Sequence, residues 1–106
     1  MDNEALIKKY VPMTETAYYI LLALTEPKHG YGISKWVSEH TNKRINIGSG
    51  TMYGTIGKME NDKLICLYDE IDNRKLYEIT SRGRMVLKAE IERLKELVTN
   101  SEYFVK

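Results

Sequence analysis

Apolar residues recur along this chain with two different periods, and each change of period marks a new element. Met13, Ala17, Ile20, Leu21 and Leu24 stand at i, i+4, i+7, i+8 and i+11, which is one stripe of a helix. Thr14 has the side chain to cap that helix. Glu26-Pro27 ends it, because the residue before a proline avoids the helical region. Ala5, Leu6 and Tyr10 predict a shorter amphipathic turn before Pro12. After His29-Gly30, the residues Ile33, Trp36, Val37 and His40 follow at i, i+3, i+4 and i+7, with Thr41-Asn42-Lys43 as the exit. Ile45 and Ile47 alternate, which predicts a strand of two or three residues.

Further on, ICLYDEI and LYEIT flank the polar tetrapeptide DNRK. β-formers on either side of turn chemistry predict a β-hairpin. Thr80 or Ser81 then caps a long final helix, on which Leu87, Ile91, Leu94 and Val98 recur at i, i+4, i+7 and i+11. So long a helix on so small a domain reads as a dimer seam, two heptads long, rather than as packing on the chain's own core. The expected fold is mainly α with a small β-hairpin (α+β). Its order is that of a winged helix-turn-helix with a long C-terminal dimerisation helix. Residues 1–80 would form the DNA-binding domain with an N-terminal helical extension, and 81–106 the dimerisation helix.

The stretch between, GSGTMYGTIGKMEND at 48–62, holds four glycines and a lysine. It looks like a phosphate loop and fails the test for one. Counting back from Gly57-Lys58 puts Met52 where the first Walker glycine belongs, and Met59 stands where the magnesium-binding hydroxyl belongs. The dinucleotide pattern fails at Tyr53. Wound as a helix, the stretch places Met52, Ile56 and Met59 on one face and Gly50, Gly54, Gly57 and Asn61 on the other. Interior glycines each cost a helix about 1 kcal/mol against alanine, so packing must hold it. A bare outer face lets the backbone approach a partner closely, and a DNA major groove admits an α-helix. Ser49, Thr51, Tyr53, Thr55 and Lys58 flank Gly54 on this helix and can reach phosphates or base edges.

Composition adds limits. The 106 residues suit one domain with a small core, and 42% apolar with 29% charged is ordinary for a globular chain. Net charge is +1, yet residues 28–58 carry Lys28, Lys35, Lys43, Arg44 and Lys58 against Glu39 alone, a net +4. A basic middle points to a polyanion, or to nothing more than a solvated surface. Lys43 and Arg44 precede the glycine-bearing helix and can meet backbone phosphate. Arg74 and Lys75 sit on the hairpin beside Asp69, Glu70 and Asp72, which temper them. That carboxylate cluster lies at a hairpin tip, where catalysis has no pocket. His29 and His40 lack companions for a metal site, and no cofactor is called for. Trp36, on an apolar stripe, reads as core. Cys66 excludes an internal disulfide, and its apolar neighbours predict a buried thiol. No apolar run approaches a membrane span, and MDNEALIKKY has no signal-peptide core, so a cytoplasmic protein without membrane attachment is expected.

HGYGI at 29–33, GTMY at 50–53, MENDKLI at 59–65 and RKLYEITSRGR at 74–84 resemble the PadR-like family of bacterial winged-helix transcriptional regulators over about residues 14–86. The resemblance implies a homodimeric repressor. Its helix at about 49–62 would enter the major groove, its hairpin would be the wing, and Leu87, Ile91, Leu94 and Val98 would join two copies. It implies DNA contacts from Ser49, Thr51, Tyr53 and Lys58 on that helix and from Arg74 and Lys75 on the wing; Lys43 and Arg44 before the helix and Gly54 and Thr55 on its outer side join them by position alone. Its partner is double-stranded DNA with a pseudo-palindromic operator, and an unidentified small-molecule effector is a common family control. Two departures stand out: Gly54-Thr55-Ile56 replaces the family's usual Pro-Ala-Leu, and Lys63 stands where glycine usually ends the recognition helix. A left-handed cap at Lys63 would cost on the order of 1 kcal/mol. Some members hold planar aromatic drugs through a tryptophan on the C-terminal helix; here the one tryptophan is Trp36. The rival expectation is a winged-helix interaction module that leaves DNA alone.

Overall fold

A computed structural model describes residues 1–105; Lys106, the last residue assigned to the C-terminal helix, lies outside the described residues. The chain runs α1 (Asn3–Tyr10), α2 (Glu15–Ala23), α3 (Gly30–His40), α4 (Ser49–Asn61), β1 (Ile65–Ile71), β2 (Arg74–Ile79) and α5 (Ser81–Ser101), then a 3₁₀ turn over Glu102–Val105. It is a winged helix-turn-helix, mainly helical with one antiparallel hairpin.

Local chemistry starts most of the helices. Asp2, Thr14 and Thr80 each accept a backbone N–H three residues on, capping α1, α2 and α5. His29 does the same for α3 through its Nδ1, 3.2 Å from the Gly32 nitrogen. The core gathers Ile20, Leu21 and Leu24 of α2, Ile33 and Val37 of α3, and Met52, Ile56 and Met59 of α4. Leu6 closes it from α1, and Val86 and Leu87 from α5. Each such side chain contributes about 1.5–3 kcal/mol by leaving water.

Four expectations need correction. On α3 the buried stripe is Ile33, Val37 and Thr41, while His40 is exposed and Trp36 half-buried at the stripe's edge. The Trp36 and His40 rings stack with centroids 3.9 Å apart. No strand forms at Ile45–Ile47, although both side chains are half-buried. Strand structure needs a backbone partner, and the outer edge of β2 is met by Lys28 instead, which exchanges two hydrogen bonds with Tyr77. Cys66 is exposed, because β1 buries only Ile65, its first residue, and the rest of the strand projects into solvent. The hairpin turn is also tighter than DNRK implied. Asp72 and Asn73 take φ of 52° and 64°, a two-residue left-handed turn that leaves Arg74 and Lys75 inside β2.

The end of α4 carries the strained backbone that the resemblance implied. Lys63 has φ 62°. Its N–H bonds Glu60 O at 3.0 Å, and the Leu64 N–H bonds Met59 O at 2.9 Å, the paired closure of a Schellman cap. The next elements lock onto this turn. Thr80 Oγ1 donates to Lys63 O at 2.7 Å, and the Thr80 N–H to Leu64 O at 3.0 Å. A Cβ at Gly83 would overlap the Leu64 carbonyl, so only glycine lets α5 pass so close.

α5 packs on α1 and α2 in its first half and then leaves the body. The radius of gyration is 14.7 Å, against about 13 Å for a compact chain of this length. The expected seam therefore divides. Leu87 is sealed in the chain's own core and offers nothing to a partner, Ile91 and Leu94 are half-buried, and Val98 is exposed. Glu90, 2% exposed, accepts two hydrogen bonds from Arg93 at 2.9 and 2.7 Å and one from the Met13 N–H at 3.2 Å. The guanidinium holds its carboxyl below the usual glutamate range.

Candidate nucleic-acid interface

α4 is two-faced. Met52, Ile56 and Met59 are all but fully buried. On the other side, a Cβ added at Gly50, Gly54 or Gly57 would meet nothing within 4 Å. The start of the helix is open too, since Gly48 supplies no side-chain cap, which leaves backbone N–H groups directed outward. Ser49, Thr51 and Lys58 are exposed beside the glycines, and Thr55 is half-buried.

Tyr53 is 59% exposed, yet its position is fixed. A Cβ on Gly30 would lie 2.6 Å from the Tyr53 hydroxyl oxygen and 2.9 Å from Cζ. The missing side chain at Gly30 is what lets the tyrosine ring lie against the start of α3. The HGYGI and GTMY stretches are thus two halves of one contact, a link that spacing along the chain does not reveal. Between α4 and the wing runs an open groove of about 550 Å³, lined by His29, Tyr31, Tyr53, Arg74, Lys75 and Tyr77. Among the described residues no ion pair engages Arg74 or Lys75, although Glu70 faces Lys75 across the ladder.

The five cations of the basic middle do not act alike. Lys28 turns inward and donates to Ala23 O at 2.6 Å, where it satisfies a carbonyl at the end of α2. Arg44 pairs with Glu15, whose carboxylate raises the guanidinium's affinity for its proton. Any phosphate contact of Arg44 must therefore displace or share that partner. Lys35 and Lys43 are exposed, and no ion pair involves them among the described residues. The Lys58 ammonium lies 5.6 Å from the centroid of the Tyr10 ring.

A group at the far end of α4 escaped the sequence reading. Asp62, its side chain 7% exposed, receives the Tyr10 hydroxyl at 2.6 Å and pairs with Lys9 Nζ at 2.7 Å. Lys9 and Tyr10 hold its carboxyl below the usual range, while burial and the same carboxylate push the Tyr10 phenol far up. With Tyr10 and Asp62 52 positions apart in the chain, no local pattern signals this contact. Asp69, Glu70 and Asp72 are exposed on the wing. No described helix is long and apolar enough to cross a membrane.

Known proteins share this arrangement. A transcriptional regulator from Clostridium thermocellum superposes with a TM-score of 0.72 and 28% identity, covering 96% of this chain and 99% of that one. Bacillus subtilis PadR, solved in complex with operator DNA, superposes with a TM-score of 0.66 over 76% of this chain and 48% of its own, at 22% identity. An uncharacterized protein of Lysinibacillus sphaericus is 33% identical over 70 aligned positions, a match covering 62% of this chain and 64% of that protein's length. The family model of the PadR-like transcriptional regulators matches residues 20–89, from the middle of α2 into α5, and so takes in the bare helix, the Gly30–Tyr53 contact, the wing and Gly83. The chain belongs to the PadR-like family of transcriptional regulators, a family of regulators and not of enzymes.

Proposed function

We infer that this chain is a homodimeric, sequence-specific DNA-binding repressor of the cytoplasm. One observation carries the reading: the exposed face of α4 is bare backbone at Gly50, Gly54 and Gly57. A helix with its side chains is about 10–12 Å across and the major groove about 12 Å wide. Removing side chains from the facing side lets α4 sit deeper, with Ser49, Thr51, Tyr53, Thr55 and Lys58 directed at groove walls and base edges. Arg74 and Lys75 of the wing would meet adjacent phosphate, with Lys43 on the other flank and Arg44 after release from Glu15. Residues 1–80 engage DNA in this reading, and the helix from residue 81 joins two copies through Ile91, Leu94 and Val98. Two α4 helices then enter successive grooves of a pseudo-palindromic operator, about 34 Å apart. Release by an unidentified small molecule completes the scheme.

The operator complex of the Bacillus subtilis relative supports this use of the fold. The test is a salt titration of binding to DNA upstream of the chain's own gene. Lys58→Ala is expected to weaken binding and to lower the slope against log salt by about 1. Equal affinity and slope would remove Lys58 from the interface.

A rival reading has one observation behind it. Two of the five middle cations, Lys28 and Arg44, are already engaged within the chain, which leaves a thin positive field for a polyanion. A winged-helix interaction module that does not touch DNA would give no mobility shift at low salt.

A further inference from the structure

We propose that Tyr10, Lys9 and Asp62 form a latch that positions the recognition helix, tying the last turn of α4 to α1 and through α1 to α5. The proposal rests on α4 being the DNA-reading element.

Asp62 is the C-cap of α4. A negative charge there opposes the helix dipole, so helix stability does not explain the residue. Its surroundings do. The carboxylate is almost wholly covered, and both groups that satisfy it come from α1: the Tyr10 hydroxyl at 2.6 Å and the Lys9 ammonium at 2.7 Å. The same hydroxyl reaches Lys58 O at 3.5 Å. The Tyr10 ring, 8% exposed, is also the platform beneath the Lys58 ammonium. One tyrosine therefore sets both the tilt of the α4 terminus and the location of a cation on its DNA-facing side.

α1 is placed to transmit this. It is eight residues long and packs along α5, the helix whose second half projects from the body. Leu6 anchors it in the core. Tyr10 and Lys9 stand at its last turn, where their side chains reach the end of α4. A shift of α5 against α1, such as a change in how two copies meet, would move the latch and with it the end of α4. Tyr10, Lys9 and Asp62 are thus positioning residues: they act on DNA through α4 and Lys58 and need not touch it.

The experiment uses the full chain with Tyr10→Phe, Asp62→Asn and the double variant. Amide exchange in the free protein reads the Asp62, Lys63 and Leu64 N–H groups. Fluorescence anisotropy with DNA from the chain's own promoter reads affinity and its salt slope, and sedimentation reads the oligomeric state. The expected result is faster exchange at the end of α4, an unchanged oligomeric state, and affinity lowered about tenfold, the size of one charge-assisted hydrogen bond. The double variant should be no weaker than Asp62→Asn alone, which already gives up the carboxylate that both Tyr10 and Lys9 engage. Unchanged exchange in Tyr10→Phe and Asp62→Asn overturns the latch. Faster exchange with full affinity and slope overturns its role in positioning. If the unaltered protein binds no promoter DNA, the proposed function fails on its own, and the exchange data still decide whether α1 holds α4.

Discussion

α4 and α5 are both amphipathic helices with a buried face, and they differ in what they leave outside. The outer face of α4 is bare, with open space over Gly50, Gly54 and Gly57. The outer face of α5 is greasy toward its end, with Leu97 and Val98 more than half exposed. Bare backbone gains little from an apolar neighbour but can approach a rigid polar groove closely. Exposed leucine and valine gain nothing from a nucleic acid and much from a second apolar surface. The two helices therefore imply different partners, and this contrast can be attacked from several sides.

The largest effect is expected on the shared feature, the buried face. Met59→Ala removes a side chain that is 1% exposed and should cost about 2–5 kcal/mol in urea unfolding; a cost below 1 kcal/mol would mean that α4 is loosely seated. The second attack is on α5. Leu94→Glu with Val98→Glu should raise the dimer dissociation constant by about a hundredfold or more by sedimentation, while leaving the exchange of core amides unchanged. If the pair leaves association intact, the seam lies elsewhere.

Acid separates the helices less sharply. Asp62 at the end of α4 and Glu90 on α5 both have carboxyls held below their ordinary range, first by hydrogen bonds from Lys9 and Arg93. A lowered folded-state pKa gives stability that is complete above the unfolded values of about 3.9 and 4.3 and is lost as pH falls through the lower folded values. Unfolding midpoints should decline below about pH 4, with a smaller decline in Glu90→Gln. A slope that is the same in Glu90→Gln would exclude that carboxyl. The smallest effects are on the backbone of α4. Gly57→Ala, with open space for its methyl, should stabilise the fold by up to about 1 kcal/mol while weakening any groove contact. Lys63→Gly should stabilise by about 0.5–1 kcal/mol by relieving the left-handed cap. A melting-temperature drop in either variant would contradict the geometry found here.

Element order, the hairpin and the two faces of α4 were legible because they rest on periods of 3.6 and 2 within a dozen residues. The caps at Thr14 and Thr80 were legible for the same local reason. Cys66, His40 and Leu87 were misassigned because burial depends on which surface arrives opposite. β1 found no surface over Cys66, the α3 stripe turned to Thr41, and α5 stayed in the core one turn longer than its spacing implied. Of the candidate interface, the residues of α4 and the wing could be named from the chain. That Arg44 is held by Glu15 and Lys28 by the end of α2 could not.

The amino-acid order alone determined the helices, the turn chemistry and the glycine-lined face, because each depends on neighbours within one or two turns. Only the tertiary structure decided that Tyr53 rests on Gly30, that Gly83 admits α5 against Leu64, and that Tyr10 closes on Asp62. Those contacts join residues that are distant in the chain, and their energies exist only once the core has brought the elements together.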